Sequence, residues 1–150
     1  MNVERNLRTW GRSKSVRLRG FDYRTHAPYH VTTRARDGTA PFWNAALATM
    51  ACRQIRLTRD ALKFYVGAFC LMPDHLHLLV SPDRSGLPLG EMMGRYKGHT
   101  TNASWQLGWN GKLWKPRFHD RIVRVSEGIA PVAKYIYENP ERKGIDSSWP

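Results

Sequence analysis

His75 and His77 stand two residues apart in the run His75 to Val80 (H-L-H-L-L-V). The run reads as a β-strand that starts after the break Met72-Pro73-Asp74. Side chains in a strand repeat every two residues, so both imidazoles point to one face while Leu76 and Leu78 point to the other. Two imidazoles on one face suit a divalent ion such as Mn²⁺, Zn²⁺ or Ni²⁺. An isolated H-x-H is equally what two hydrogen-bonded histidines at a strand end look like. A second pair, Tyr135 and Asn139, is four residues apart near the end of an expected helix, so the two are neighbours on its surface. They lie along one border of the stripe Ile129, Val132, Ala133 and Ile136, with Tyr137 near the opposite border. A tyrosine in that position is by itself either a half-buried aromatic or a phenol presented for chemistry.

The elements that must carry these residues follow from periodicity. Tyr29 to Thr33 reads as a first strand, with Asp37-Gly38 as a turn. Phe42 to about Ala61 is helical, with Trp43, Ala46, Leu47, Met50, Leu57 and Ala61 as its apolar stripe and Arg53, Arg56 and Arg59 outside it. Lys63 to Leu71 reads as a second strand and His75 to Val80 as the third. Leu89 to Leu107 is a second helix, with Leu89, Met92, Met93, Tyr96, Ala103 and Leu107 on one side. Leu113 to Val125 reads as a strand interrupted at Pro116, and Glu127 to Asn139 as a last helix bounded by Pro140. Pro131 is tolerable there only near the first turn. The order β-α-β-β-α-β-α predicts an α+β, ferredoxin-like (RRM-like) antiparallel sheet with helices packed on one face.

Composition narrows the partner. The 150 residues carry 24 Lys+Arg against 12 Asp+Glu, a net charge of +12, which points to a polyanion. No apolar run approaches the roughly 18 residues needed to span a bilayer, so no membrane is expected. Cys52 and Cys70 lack C-x-x-C spacing, give no disulfide framework and fit a reducing cytosol, so a cytoplasmic protein is expected. Residues 1–16 read as a basic N-terminal arm and 17–150 as a single domain.

Four ordered stretches resemble a known family. Met72-Pro73-Asp74-His75-Leu76-His77 is similar to the M-P-N-H-x-H signature of the HUH endonucleases, in particular the REP-associated tyrosine transposases (IS200-like transposases). Arg17 to Tyr23 followed by Tyr29 to Thr33 is similar to that family's opening segment and first strand. Trp114 to Arg124 resembles its W-x-x-R-F-x-D/E-H/R-x-I-R stretch, and Tyr135 to Gly144 its Y-I-x-x-N-P-x-x-x-G ending. Asp74 departs from the pattern, standing where Asn is common.

The resemblance implies metal-dependent cleavage and rejoining of single-stranded DNA at hairpin or palindromic sites, with Tyr135 as nucleophile and a 5′-phosphotyrosine intermediate. The histidine motif would lie on a central strand and the tyrosine on the C-terminal helix. His75 and His77 would bind a divalent metal, Mg²⁺ or Mn²⁺. Asn139 is the candidate third ligand, with Glu138 as runner-up at a less suitable angle. A phenol has a pKa near 10 and needs activation or orientation to attack at neutral pH. Expected DNA-binding residues are Arg17, Arg19, Arg95, Lys97, Lys115, Arg117, Arg121 and Arg124, with Trp114 either stacking on a base or belonging to the core. His26, His30 and His99 are expected to be ordinary surface or core histidines. The chain would act as a monomer or a homodimer. The competing readings are a catalytically silent RRM-like module binding single-stranded nucleic acid, although no RNP motif is present, and a metallohydrolase that uses water as nucleophile.

Overall fold

The computed structural model describes residues 27–82, 87–124 and 126–142. The basic arm over 1–16, with Arg17, Arg19 and His26, therefore lies outside the described residues. Strands β1 (Tyr29–Arg34), β2 (Phe64–Met72), β3 (His75–Pro82) and β4 (His119–Ile122) form one four-stranded sheet in the order β2-β3-β1-β4. Every pairing is antiparallel. This is the split β-α-β arrangement expected of a ferredoxin-like fold. The helices are α1 (Ala45–Leu62), α2 (Leu89–Gln106), α3 (Ile129–Tyr137) and a short α4 (Asn139–Arg142). Among the described residues, no helix is long and apolar enough to cross a membrane.

The two long helices, α1 and α2, pack on one face of the sheet, over Tyr29, Val31, Leu76, Leu78 and Val80. On α1 the buried residues are Leu47, Ala48, Ala51, Ile55, Thr58 and Leu62. Only Leu47 belongs to the stripe expected from the sequence; Trp43 and Leu57 are exposed. The helix begins at Ala45, with the Asn44 side chain accepting from Leu47 N, and it turns its small alanines inward. Ala48 and Ala51 let its backbone come close, and Tyr96 Oη of α2 donates to the Ala51 carbonyl at 3.0 Å. On α2, Leu89, Met92, Met93 and Tyr96 are buried as expected, but the stripe ends in Thr100 and Ser104 and leaves Leu107 exposed.

The C-terminal helix α3 lies on the other face, where Val132 and Ile136 pack on Ala68, Leu79 and Val123. Pro131 falls in its first turn, where a proline is tolerated. The helix ends at Tyr137, earlier than expected, and Asn139 opens the separate turn α4. Pro140 explains the break, because its ring clashes with the carbonyl four residues back and it has no N–H to donate. The strand expected over Leu113 to Val125 is also shorter. Around Pro116, only a bridge between Ala35 and Trp114 precedes β4.

Trp114 belongs to the core, which corrects its assignment as a DNA-stacking platform. It is 3% exposed, its ring lies 5.1 Å from that of Phe42, and Nε1 donates to Thr100 Oγ1 at 2.8 Å. Its substitution should therefore act on stability. In urea denaturation Trp114→Ala should lose about 3–5 kcal/mol. A stable variant with a selective loss of DNA affinity would contradict this placement.

Candidate functional site

Strand β3 divides its side chains between the two faces. Leu76, Leu78 and Val80 enter the core beneath α1 and α2, while His75 and His77 point to the face that carries α3. Several features hold this register. Val66 pairs with Val80 but Ala68 pairs with Leu79, so Gly67 is the extra residue of a β-bulge in β2. A Cβ on Gly67 would stand 3.3 Å from Leu79 Cδ2. The turn Pro73-Asp74 joins β2 to β3 and is tied down by two backbone bonds. Ala35 N donates to Asp74 O at 2.8 Å, and Phe42 N donates to Pro73 O at 3.0 Å.

The two imidazoles meet edge to face, with centroids 4.9 Å apart. His75 Nδ1 lies 2.6 Å from Asp74 Oδ1. Donation from Nδ1 to the carboxylate leaves the lone pair on Nε2, the arrangement by which a carboxylate orients a metal-binding histidine. Asp74 thus has a role toward the site that its charge alone did not reveal. Burial pushes the Asp74 carboxyl up, but the hydrogen bond and charge of His75, aided by Arg34, outweigh it and hold the group below its ordinary value. His77 Nδ1 lies 3.1 Å from both Thr32 Oγ1 and His30 Nε2.

The opposing helix supplies the rest. Tyr135 is 42% exposed, and its ring lies 6.3 Å from that of His77 and 6.0 Å from that of His30. Asn139 is 2% exposed, and its Oδ1 has no hydrogen-bond partner among the described residues. His75, His77, Tyr135 and Asn139 line one cavity of about 420 Å³, rimmed by Arg34 and Trp43. The helix break thus separates Asn139 from the helix of Tyr135 without separating their side chains from the cavity. Glu138 turns toward Lys134, at 3.7 Å, and does not line this cavity. The site fits a divalent ion. Two imidazoles and an amide oxygen are an acceptable donor set, and a buried amide oxygen with nothing to bond is the observation that favours a ligand there. Among the described residues, no group of three His, Cys, Asp or Glu side chains is placed to hold a metal. Among the described residues, the Asn139 amide is the buried, unbonded oxygen that lines the cavity beside the two imidazoles.

The expected DNA-binding residues separate into groups. Lys115 and Arg117 line a groove of about 300 Å³ with Arg34, next to the site. Arg121 lines a second cavity beside Tyr135 and bonds Glu127 Oε2 at 2.6 Å. Arg124 is exposed in the loop after β4. Lys97 reaches back to the carbonyls of Lys115 and Arg117, at 2.8 and 2.9 Å, and so shapes that loop. Arg95 is exposed on α2, paired with Glu91, and is not brought to the site.

His30, Thr32, Arg34, Trp43 and Glu127 were not anticipated at the site. The signal for the first three lay in β1, where His30, Thr32 and Arg34 alternate with the buried Tyr29, Val31 and Thr33 and so must share a face. Their partner strand could not be read from periodicity. Burial, then the charge of Arg121, lowers the His30 pKa to about 4 against the opposing pull of Glu127. His30 is accordingly neutral at pH 7. Between pH 6.5 and about 4 the unfolded chain binds a proton that the folded chain refuses, so stability falls as pH drops through that window. In metal-free protein, the His30 ring resonances should not titrate above about pH 5. A midpoint near the ordinary histidine value would contradict the packing described.

The ferredoxin-like sheet, with a histidine pair on its inner strand β3 and a tyrosine on α3, has the layout that the resemblance in the sequence implies. The chain belongs to the IS200-like transposase family, whose profile matches residues 24–139. It is 25% identical over 106 residues to a Haemophilus influenzae protein assigned to the REP-associated tyrosine transposases. That match covers 62% of this chain and 60% of the relative, so it spans less than two thirds of the relative's length. Among solved structures, it is similar to a REP-associated tyrosine transposase bound to a REP hairpin (TM-score 0.74, 20% identity), with 89% of this chain and 79% of the other covered. It is also similar to a protein of Deinococcus radiodurans assigned as a transposase (TM-score 0.57, 19% identity), with 81% and 95% covered. At these identities the structural likenesses speak for the fold.

Proposed function

We propose that this protein cleaves and rejoins single-stranded DNA through a covalent bond to Tyr135, at sites beside a hairpin. The observation that carries the reading is the single cavity shared by Tyr135, His75, His77 and Asn139. Membership in a transposase family favours DNA as the substrate, and a similar structure solved with a REP hairpin favours a hairpin-bearing strand.

The Tyr135 oxygen attacks the scissile phosphorus. The new O–P bond forms as the bond to the departing 3′ oxygen breaks, leaving a free 3′-OH and a 5′-phosphotyrosine. The phenol loses its proton and the departing oxygen gains one, so the charge on the phosphodiester is conserved. A 3′-OH then attacks the phosphotyrosine and rejoins the strand, with no nucleotide cofactor required. His75, His77 and Asn139 would hold a divalent ion, Mg²⁺ or Mn²⁺, which when bound polarises a phosphoryl oxygen and offsets charge in the transition state.

The chain's own residues provide position. Asp74 orients His75, and Thr32 and His30 orient His77, so both imidazoles are held before substrate arrives. Packing of Val132 and Ile136 on the sheet fixes the height of Tyr135 above the histidines. Arg34, Lys115 and Arg117 form a cationic approach to the site, and Trp43, 62% exposed at its rim, offers a ring face to an unpaired base.

On a denaturing gel, wild-type protein with a labelled hairpin-bearing single strand and Mn²⁺ should retain label, and Tyr135→Phe should retain none while still binding DNA. Tyr137→Phe, altered on an exposed ring outside the cavity, should retain label. Cleaved DNA with no protein attached would favour a water nucleophile. Binding without cleavage would favour a silent binding module.

A further inference from the structure

Tyr135 stands between two cavities, and the proposed reaction uses only the one that holds His75, His77 and Asn139. The other has a volume of about 400 Å³. His30 lies on its sheet side and Pro131 and Val132 supply an apolar wall from the first turns of α3. Arg121 of β4 and Glu127 line its open side, beside Thr32, His119 and Asp120, with Arg121 Nη1 donating to Glu127 Oε2 at 2.6 Å. Neither partner of that ion pair is buried; each keeps about a third of its side chain exposed (34% and 32%). The hydrogen bond to Arg121 holds the Glu127 carboxyl below its ordinary range, so it is ionised at neutral pH.

We infer that this cavity takes one unpaired guanine base of the substrate strand next to the scissile phosphate, with Arg121 and Glu127 reading its Watson–Crick edge. The inference rests on the reading of Tyr135 as the residue that meets the phosphate. A strand that brings a phosphate to Tyr135 carries its flanking bases to either side, and one side is this cavity. The apolar wall accepts the face of a planar ring. The polar groups select among rings. A guanidinium beside a carboxylate offers a donor followed by acceptors, because Arg121 makes only one bond to Glu127 and a carboxylate has about four acceptor positions. Guanine presents the complement, the O6 acceptor beside the N1–H and N2–H donors. Thymine would set a second carbonyl against the carboxylate, and adenine and cytosine each offer one donor edge in place of two. A site built of hydrogen-bonding groups rejects a base that leaves them unpaired far more strongly than an apolar slot does.

The test uses a short oligothymidylate strand and the same strand with its central base changed to guanine, adenine or cytosine. Fluorescence anisotropy gives the affinities, and methyl NMR of Val132 reports occupancy. Wild-type protein should bind the guanine strand about tenfold more tightly than plain oligothymidylate, consistent with one good base contact. The guanine strand should also shift the Val132 methyl resonances. Glu127→Gln should bring the ratio to about one, and Glu127→Asp should keep a preference. Equal affinities in wild type, a ratio unchanged by Glu127→Gln, or no shift at Val132 would overturn the inference. The covalent-adduct gel keeps the two readings apart. An adduct at Tyr135 without guanine preference removes only this cavity's role, whereas guanine preference without an adduct removes the cleavage reading.

Discussion

The two-residue period of β3 is the constraint on which the site depends. Every second side chain is committed to the core beneath α1 and α2, so the alternate ones, His75 and His77, must face α3. A slip of one residue would turn both imidazoles into the apolar core and put Leu76 and Leu78 on the face that carries α3. That exchange would remove large apolar side chains from the core, each worth about 1.5–3 kcal/mol when buried. Position in the middle of the sheet, with β2 on one side and β1 on the other, gives the strand hydrogen bonds along both edges. The histidine pair is therefore aimed by the hydrophobic core rather than by local loop structure.

The same face is built to be polar without collapsing on itself. His30 and Thr32 of β1 meet His77, and Asp74 meets His75, so each imidazole has one nitrogen engaged. Cationic side chains, Arg34, Lys115, Arg117 and Arg121, surround these groups. Their charge helps keep His30 neutral and lowers the pKa of His119 after burial has done so. A face of that sign attracts phosphate. Asn139 Oδ1 is buried without a hydrogen-bond partner among the described residues, and an unpaired buried group of this kind typically costs about 1–3 kcal/mol. The proposed metal-ligand role would offset that cost.

Element type and order were legible in the sequence because they follow from strong local signals. The Met72-Pro73-Asp74 break, the β-branched run after His30 and the Pro140 stop all left marks that physical reasoning could use. Helix faces were less legible. On α1, alanines at 46, 48, 51 and 61 are compatible with more than one inward face; the structure buries 48 and 51, with Tyr96 bonded to the Ala51 carbonyl. Trp114 could not be assigned from its neighbours, since burial depended on Phe42 and Thr100 from distant segments. His30 and Glu127 were missed for the same reason. Each became part of the site through strand pairing and the path of the chain into α3, which are long-range facts. Asp74 was seen as a departure, but its bond to His75 required the turn geometry.

The central claim is that β3 and the turn after α3 place His75, His77 and Asn139 around one divalent ion beside Tyr135. An anomalous-difference map from crystals equilibrated with Mn²⁺ tests it most directly. The account predicts one strong peak in the cavity of Tyr135, bonded by Nε2 of both histidines and by Oδ1 of Asn139, and loss of that peak in Asn139→Ala or His77→Ala. A peak bonded elsewhere, or a cavity without one at Mn²⁺ concentrations that support cleavage, would contradict it.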